Sequence, residues 1–372
     1  MLSNKTLIII ISVLILLAGG VLIYYYYFQD SEPVVEETTT QPTAGGSVSV
    51  SRIKKISQEP VMGVNVDNQK VRYYLKSNGN VLESDFDGNN TNILSSYILP
   101  NLLKVNWSPS GNKVVALFEE NQKARNYSYD YLTGESSPLN EGIGWTAWSP
   151  DQDKITYQYY NQLTGENKIS ISDFNGSNWQ DIYFTKMKNL IVEWPKNDII
   201  SIRTRSSGLA QSIVYLINLS DSSPEKIIGE TFGLTVLYSP LGDKIIFSET
   251  DEKGKDLKLK KIDLNSRLTK ELNFVTLPEK CAWSQDNRTI FCAVPKDIST
   301  YAVLPDDYYK KAVSFSDDFW RVNLETGEKT QIYKAEKEEA AAYNASDLIL
   351  SPLEDYLIFI NQGDDTLYSL KL

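Results

Sequence analysis

Trp148-Ser149-Pro150-Asp151-Gln152-Asp153-Lys154-Ile155-Thr156-Tyr157 reads as a strand end, a tight turn and the start of a second strand. Proline presets φ, Ser and Asp side chains bond back to local backbone, and Gly or Asn tolerates positive φ. The run that follows is apolar without alternation, which marks a strand buried on both faces. Variants stand at Trp107-Ser108-Pro109-Ser110-Gly111, Trp194-Pro195-Lys196-Asn197-Asp198, Tyr238-Ser239-Pro240-Leu241-Gly242, Trp283-Ser284-Gln285-Asp286-Asn287 and Leu350-Ser351-Pro352-Leu353-Glu354. A degenerate first copy begins at Val64. The anchors at 64, 107, 148, 194, 238, 283 and 350 are spaced by 43, 41, 46, 44, 45 and 67 residues. A period of roughly 40–50 residues built from short strands predicts propeller blades, one per copy. A second turn cue follows in most copies: Asp87-Gly88, Thr133-Gly134, Asn175-Gly176, Asp263-Leu264-Asn265 and Thr326-Gly327. These predict hairpins joining the third and fourth strands. The expected fold is all-β, a seven-bladed β-propeller of four-stranded antiparallel blades, preceded by a single transmembrane helix.

The Trp-Ser-Pro-(Asp/Ser)-(Gly/Gln)-x-Lys-(Ile/Val) pattern resembles the TolB-type β-propeller repeat over about residues 60–372. That resemblance implies the fold. For function it implies only a range, because such repeats serve as scaffolds, binding modules and peptidase gates. Such propellers commonly bind protein partners, and the resemblance implies that class of function.

The chain has 372 residues, 41% of them hydrophobic, and a net charge of −11. The negative balance argues against nucleic acid as a partner. Residues 7–28 are an almost unbroken apolar run, long enough to cross a hydrocarbon core of ~30 Å. Residues 24–27, all Tyr, suit an interfacial belt. Lys5 precedes the run, while Asp30, Glu32, Glu36 and Glu37 follow it. The positive-inside rule then predicts a single-pass cell-membrane protein with residues 1–6 cytoplasmic and the propeller extracytoplasmic. Cleavage of this segment as a signal peptide is the competing expectation. Residues 29–47, rich in Thr, Glu, Pro and Gly, read as a flexible tether.

The last copy holds one strand too few. Residues 48–57 look like an outer strand without a home, and they are predicted to complete the seventh blade and close the ring. Cys281 and Cys292 are the only cysteines. Folding the hairpin about residues 286–287 sets them opposite each other, at a distance suited to a disulfide.

The 67-residue spacing exceeds the period by about 23 residues. The excess falls in residues 295–318, rich in Tyr and Asp, and in residues 335–343, a helix candidate. Both would emerge from one face of the propeller. Tyr301, Asp306, Asp307, Tyr308, Tyr309, Asp317, Asp318 and Trp320 are the candidate binding residues, since loops on a rigid scaffold carry recognition. Exposed Tyr offers flat apolar area with a polar tip.

No histidine is present, which removes Ser-His-Asp and Cys-His catalysis and His-ligated metal. Asp85-Phe86-Asp87-Gly88-Asn89 resembles a calcium loop, but Ser96 stands where the ligating Glu belongs, so a hairpin is the better reading. No catalytic residue, metal or cofactor is expected. The leading expectation is a binding or scaffolding module for a protein, peptide or envelope polysaccharide. A carbohydrate-active enzyme with paired carboxylates, such as Asp306/Asp307 or Asp317/Asp318, is the second. A structural spacer without a specific ligand is the third.

Overall fold

A computed structural model of the chain describes residues 51–67, 69–334 and 342–372. The apolar run at 7–28, the tether at 29–47 and residues 335–341 of the helix candidate lie outside the described residues. Among the described residues no helix is long and apolar enough to cross a membrane.

Seven four-stranded antiparallel sheets make up the ring; six run in sequence order from inner to outer strand, and the seventh takes its outer strand from the start of the propeller. The inner strands are Val61–Val66, Leu102–Trp107, Ile143–Trp148, Ile191–Lys196, Val236–Tyr238, Cys281–Trp283 and Ala345–Leu350. We number the blades one to seven in that order. Inner strands of neighbouring blades pack together around the axis. The anchor residue closes its inner strand in blades two, three, five, six and seven. In blade one the matching register position is Val66, opposite Val71, two residues beyond the expected Val64.

The repeat turn joins inner to second strand and has one design. The Ser108 Oγ accepts from Lys113 N, the Ser239 Oγ from Lys244 N, and the Ser351 Oγ from Tyr356 N. The fourth residue of the turn, counted from the serine, is left-handed: Gly111, Gly242, Asn287 and Glu354 have φ of 68°, 64°, 58° and 55°. Gly242 is required for space as well, because a Cβ there would lie 2.4 Å from the Pro195 carbonyl oxygen. Glu354 takes a conformation costly for its type. Its carboxylate accepts from the Ser284 hydroxyl and the Gln285 amide of the neighbouring turn at 2.9 and 2.7 Å, which offsets that strain.

Three of the four anchor tryptophans tie blade to blade, while the Trp194 indole N–H is buried without a hydrogen bond. The Trp107 indole N–H donates to the Gly63 carbonyl at 2.6 Å, Trp148 to Asn106 at 3.0 Å and Trp283 to Leu237 at 3.4 Å. Each acceptor belongs to the inner strand of the preceding blade.

Closure follows the expectation. The strand Ile53–Lys55 pairs with Thr366–Lys371 and supplies the outer strand of blade seven. Ile53 is buried with Phe359 and Leu370, Arg52 donates to the carbonyls of Lys371 and Ile332, and the Ser57 hydroxyl accepts from Leu367 N at 2.8 Å. Cys281 and Cys292 are cross-strand partners and form a disulfide.

Deleting residues 48–57 should lower the thermal midpoint and promote self-association, since the 366–371 edge loses its partner. Ile53→Ala alone should cost about 2–4 kcal/mol in urea unfolding. An unchanged midpoint in both would show that this strand does not close the ring.

Candidate functional site

The inner-to-second and third-to-outer turns share one face of the propeller. The second-to-third and blade-to-blade connections share the other, and the blade-six insertion lies there. Its strands bound it at Pro295 and Asp317. Residues 296–316 do not stand off the surface. Ala302, Leu304, Tyr308 and Phe315 form a small core with Leu257 and Leu277 of blade five. The loop then crosses toward blade four. The Asp306 carboxylate accepts from the Ser207 hydroxyl at 3.0 Å and the Gly208 amide at 2.6 Å. Gly208 permits the crossing, for a Cβ there would meet the Leu304 carbonyl oxygen at 2.4 Å. Lys255 donates to the Ala302 carbonyl, and Lys311 pairs with Asp365 of blade seven at 2.5 Å. One helical turn, Asp306–Tyr309, sits at the centre of this roof.

The eight candidate residues therefore separate. Tyr301 is 89% exposed at the loop tip and Tyr309 is 50% exposed. Asp306 and Asp307 hold backbone amides, Asp307 accepting from Val303 N at 2.7 Å. Tyr308 is buried against Phe315, with its hydroxyl raised above the ordinary value by burial. Asp317 is fully buried and paired with Lys280 at 2.8 Å, both side chains showing no exposure. Burial removes Tyr308 and Asp317 from any contact with a ligand, a correction to the expectation for both. Asp318 and Trp320 lie apart, in a cleft between blades five and six.

The Lys280 ammonium uses all three donors, to Asp317, to the Asn344 side-chain oxygen at 3.1 Å and to the Ala345 carbonyl at 2.6 Å. This joins blades six and seven beneath the insertion. Burial lowers the Lys280 pKa and raises that of Asp317.

The axis brings together residues the sequence reading passed over. Three positions before the end of the inner strand stand Gly63, Lys104, Trp145 and Asp347 in blades one, two, three and seven. In blades one, three and seven this position falls in a register shift, and a bulge re-aims the chain locally. Asp347 adopts φ 51° there, a strained conformation of the kind that collects at functional sites. Trp145 is 40% exposed, with the Lys104 ammonium over its ring. Asp347 meets solvent yet is enclosed by protein atoms, and that desolvation raises its carboxyl. Desolvation pushes the Lys104 ammonium down to about 8, against the attraction of Asp347 and Glu193. Beneath the roof, Arg203 pairs with Glu193 at 3.2 Å and donates to Ser206. Glu279 accepts from the Thr235 hydroxyl at 2.8 Å and the Tyr309 hydroxyl at 2.5 Å. The mouth thus carries both signs of charge beside the rings of Trp145 and Tyr309. The signal for this in sequence is a charged or aromatic residue three positions before the anchor in blades two, three and seven: Lys104, Trp145 and Asp347. Among the described residues no group of three or more His, Cys, Asp or Glu side chains could hold a metal ion.

Two outcomes follow from these charges. Lys280→Met should destabilise the fold by about 3–5 kcal/mol, by stranding a buried carboxylate. Adding Asp317→Asn should recover most of that loss in the same urea titration, and equal costs for single and double variants would deny the coupling. Lys104 should titrate near pH 8. Its folded pKa lies below the ordinary 10.5, so the penalty on its charged form holds below about pH 8 and is relieved between 8 and 10.5. Mass spectrometry after brief acylation should show its rate levelling above pH 8 while exposed lysines keep accelerating. A rate that climbs through pH 10 would place the ammonium in bulk water.

No family model matches the chain, and no curated protein does. Solved structures that share the fold include an oligogalacturonate lyase from Vibrio parahaemolyticus, at 11% identity over 86% of this chain and 93% of that one, with a TM-score of 0.59. They include the β-propeller domain of the trilobed protease from Pyrococcus furiosus, at 12% identity over 83% and 92%, TM-score 0.54. TolB from Acinetobacter baumannii matches at 15% identity over 70% of this chain, TM-score 0.46. The chain spans 60% of that TolB and 34% of the tricorn protease, which it also matches. At such identities the likeness is one of fold alone, and the seven-bladed propeller expected from the repeat is the fold of this chain.

Proposed function

We propose that the chain is a non-enzymatic, membrane-anchored and extracytoplasmic binding propeller, whose partner is a protein, peptide or envelope glycan. The recognition surface is the axial mouth and the insertion above it. The observation that carries this reading is the fastening of the insertion to blades four, five and seven, while its tip leaves Tyr301 89% exposed. A fixed loop with an exposed aromatic loses little entropy on binding. The enzymatic alternative finds Asp306, Asp307 and Asp317 already engaged in structural bonds, as are Glu193 with Arg203 and Glu279 with Thr235 and Tyr309.

Excising residues 301–318 would remove part of the core and, with Asp317, one half of the Lys280–Asp317 pair, so the test is local. A photo-cross-linking residue at Tyr301 in the full chain should capture a partner in its own cell envelope. The same residue at Leu353, 82% exposed on the opposite face, should not. Capture from Leu353 alone would move the surface to the turn face. Capture from neither would favour a spacer.

A further inference from the structure

The outer strand of blade one, Asn92–Ser95, has the sequence Asn-Ile-Leu-Ser and carries neither charge nor proline. Each of the other six outer strands has one or the other: Pro138, Asp181, Pro224, Lys270, Lys329 and Lys54. Such residues guard a sheet edge against foreign contacts. The unguarded stretch is longer than the strand. Residues 88–103 hold no charged side chain, in a chain that is 23% charged. Tyr97 and Ile98 are each 75% exposed, Ile93 is 64% exposed, and Leu94 is exposed beside it. Their neighbours Leu99 and Leu102 turn inward and pack on the core between blades one and two. The Leu99 amide also donates to the Asn78 carbonyl at 2.8 Å. The segment is thus fastened from within, with Tyr97 and Ile98 left outside.

We propose that Ile93, Leu94, Tyr97 and Ile98 seat the rim of the propeller on the surface of a lipid bilayer, a proposal that rests on the membrane-anchored reading above. A bulge at Leu94 breaks the register of this edge, so the rim offers side chains rather than an unbroken ladder for a further strand. Aliphatic residues and a tyrosine among Asn and Ser suit the boundary between acyl chains and headgroups. A second copy of the chain is the weaker occupant. The four side chains expose on the order of 500 Å², below the ~800 Å² per partner of a standard interface. Two chains of net charge −11 also repel each other, whereas a zwitterionic bilayer exerts no such force. The path of the chain favours the bilayer as well. Residues 29–50, between the apolar run and the described chain, reach at most ~75 Å when extended. They lead to the closing strand, and the turn before the patch lies against that strand: a Cβ at Gly88 would meet the Lys55 carbonyl oxygen at 2.9 Å. An anchored propeller therefore keeps this rim within reach of the lipid, and seating on the rim leaves the axial mouth open to a partner.

The test reconstitutes the full chain in phosphatidylcholine vesicles. Cys281 and Cys292 are bonded to each other, so Ser96→Cys, at an exposed position beside the patch, supplies the one free thiol for an environment-sensitive fluorophore. Leu163→Cys carries the same probe at a highly exposed control position on blade three. The chain should float with the vesicles, and lipid bearing a quencher at headgroup depth should quench the probe at position 96 at least three-fold more than the probe at 163. Adding Tyr97→Ser and Ile98→Glu should bring quenching at 96 down to the control level with the thermal midpoint unchanged. A chain that floats yet is quenched equally at both positions overturns this proposal and leaves the anchoring standing. Quenching indifferent to the double substitution overturns it too. A chain that does not float overturns the anchoring and this proposal with it. A probe at 96 shielded from water but not quenched by lipid, in chains that cross-link through that position, would assign the patch to a second copy instead.

Discussion

The ring depends on a hydrogen bond that crosses from blade to blade. A four-stranded sheet cannot bury both its faces alone, so each blade needs a neighbour in fixed register. The indole N–H of Trp107, Trp148 and Trp283 supplies that register by reaching the inner-strand carbonyl of the preceding blade. The large ring fills the space between the sheets, and the single polar atom sets its orientation. Blade five achieves a related tie with the Tyr238 hydroxyl, which donates to Ser201 of blade four at 2.6 Å. The repeat is legible in sequence because one side chain must satisfy both packing and a directional bond.

What the sequence reveals about the site follows the same logic. The insertion could be placed by spacing, and the closing strand by counting strands. Cys281 and Cys292 could be set opposite each other by folding one hairpin. These are local or periodic features. The burial of Asp317 is neither, for it depends on Lys280, 37 residues earlier, and on Asn344 of the next blade. An Asp-Asp pair in a Tyr-rich segment has the composition of a solvated loop, and only the tertiary partners reverse that. Tyr308 was misleading for a similar reason, since its place in the core requires Leu257 and Leu277 from another blade. Lys104, Trp145 and Asp347 were legible in principle, because they break the apolar character of the inner strands at one shared offset. Loops on a rigid scaffold carry recognition more often than inner strands do, so the sequence points away from the axis.

The two faces divide the labour. Repeat turns clasp one another on one side, with Glu354 of blade seven reaching the blade-six turn and Asn287 of blade six donating to Asp243 of blade five at 2.9 Å. That face is occupied by its own fastenings. The opposite face carries the roof, the strained Asp347 and the depressed Lys104, features that stability alone does not call for. Rigid support on one side and unspent charge on the other is the arrangement a recognition scaffold needs.

The closing strand has a further consequence, in time rather than in space. Ser57 receives the Leu367 amide across 310 residues of sequence, and Arg52 reaches Lys371 across 319. Every other blade is assembled from contiguous chain, so it can form as soon as its four strands exist. Blade seven alone joins the earliest part of the propeller to the last, and its contact order is set by the whole length of the ring. During synthesis the 53–55 strand must wait, unpaired, until the final six residues of its partner emerge. Pairing the two ends therefore closes the longest loop in the fold, with the largest entropic cost of closure in the ring.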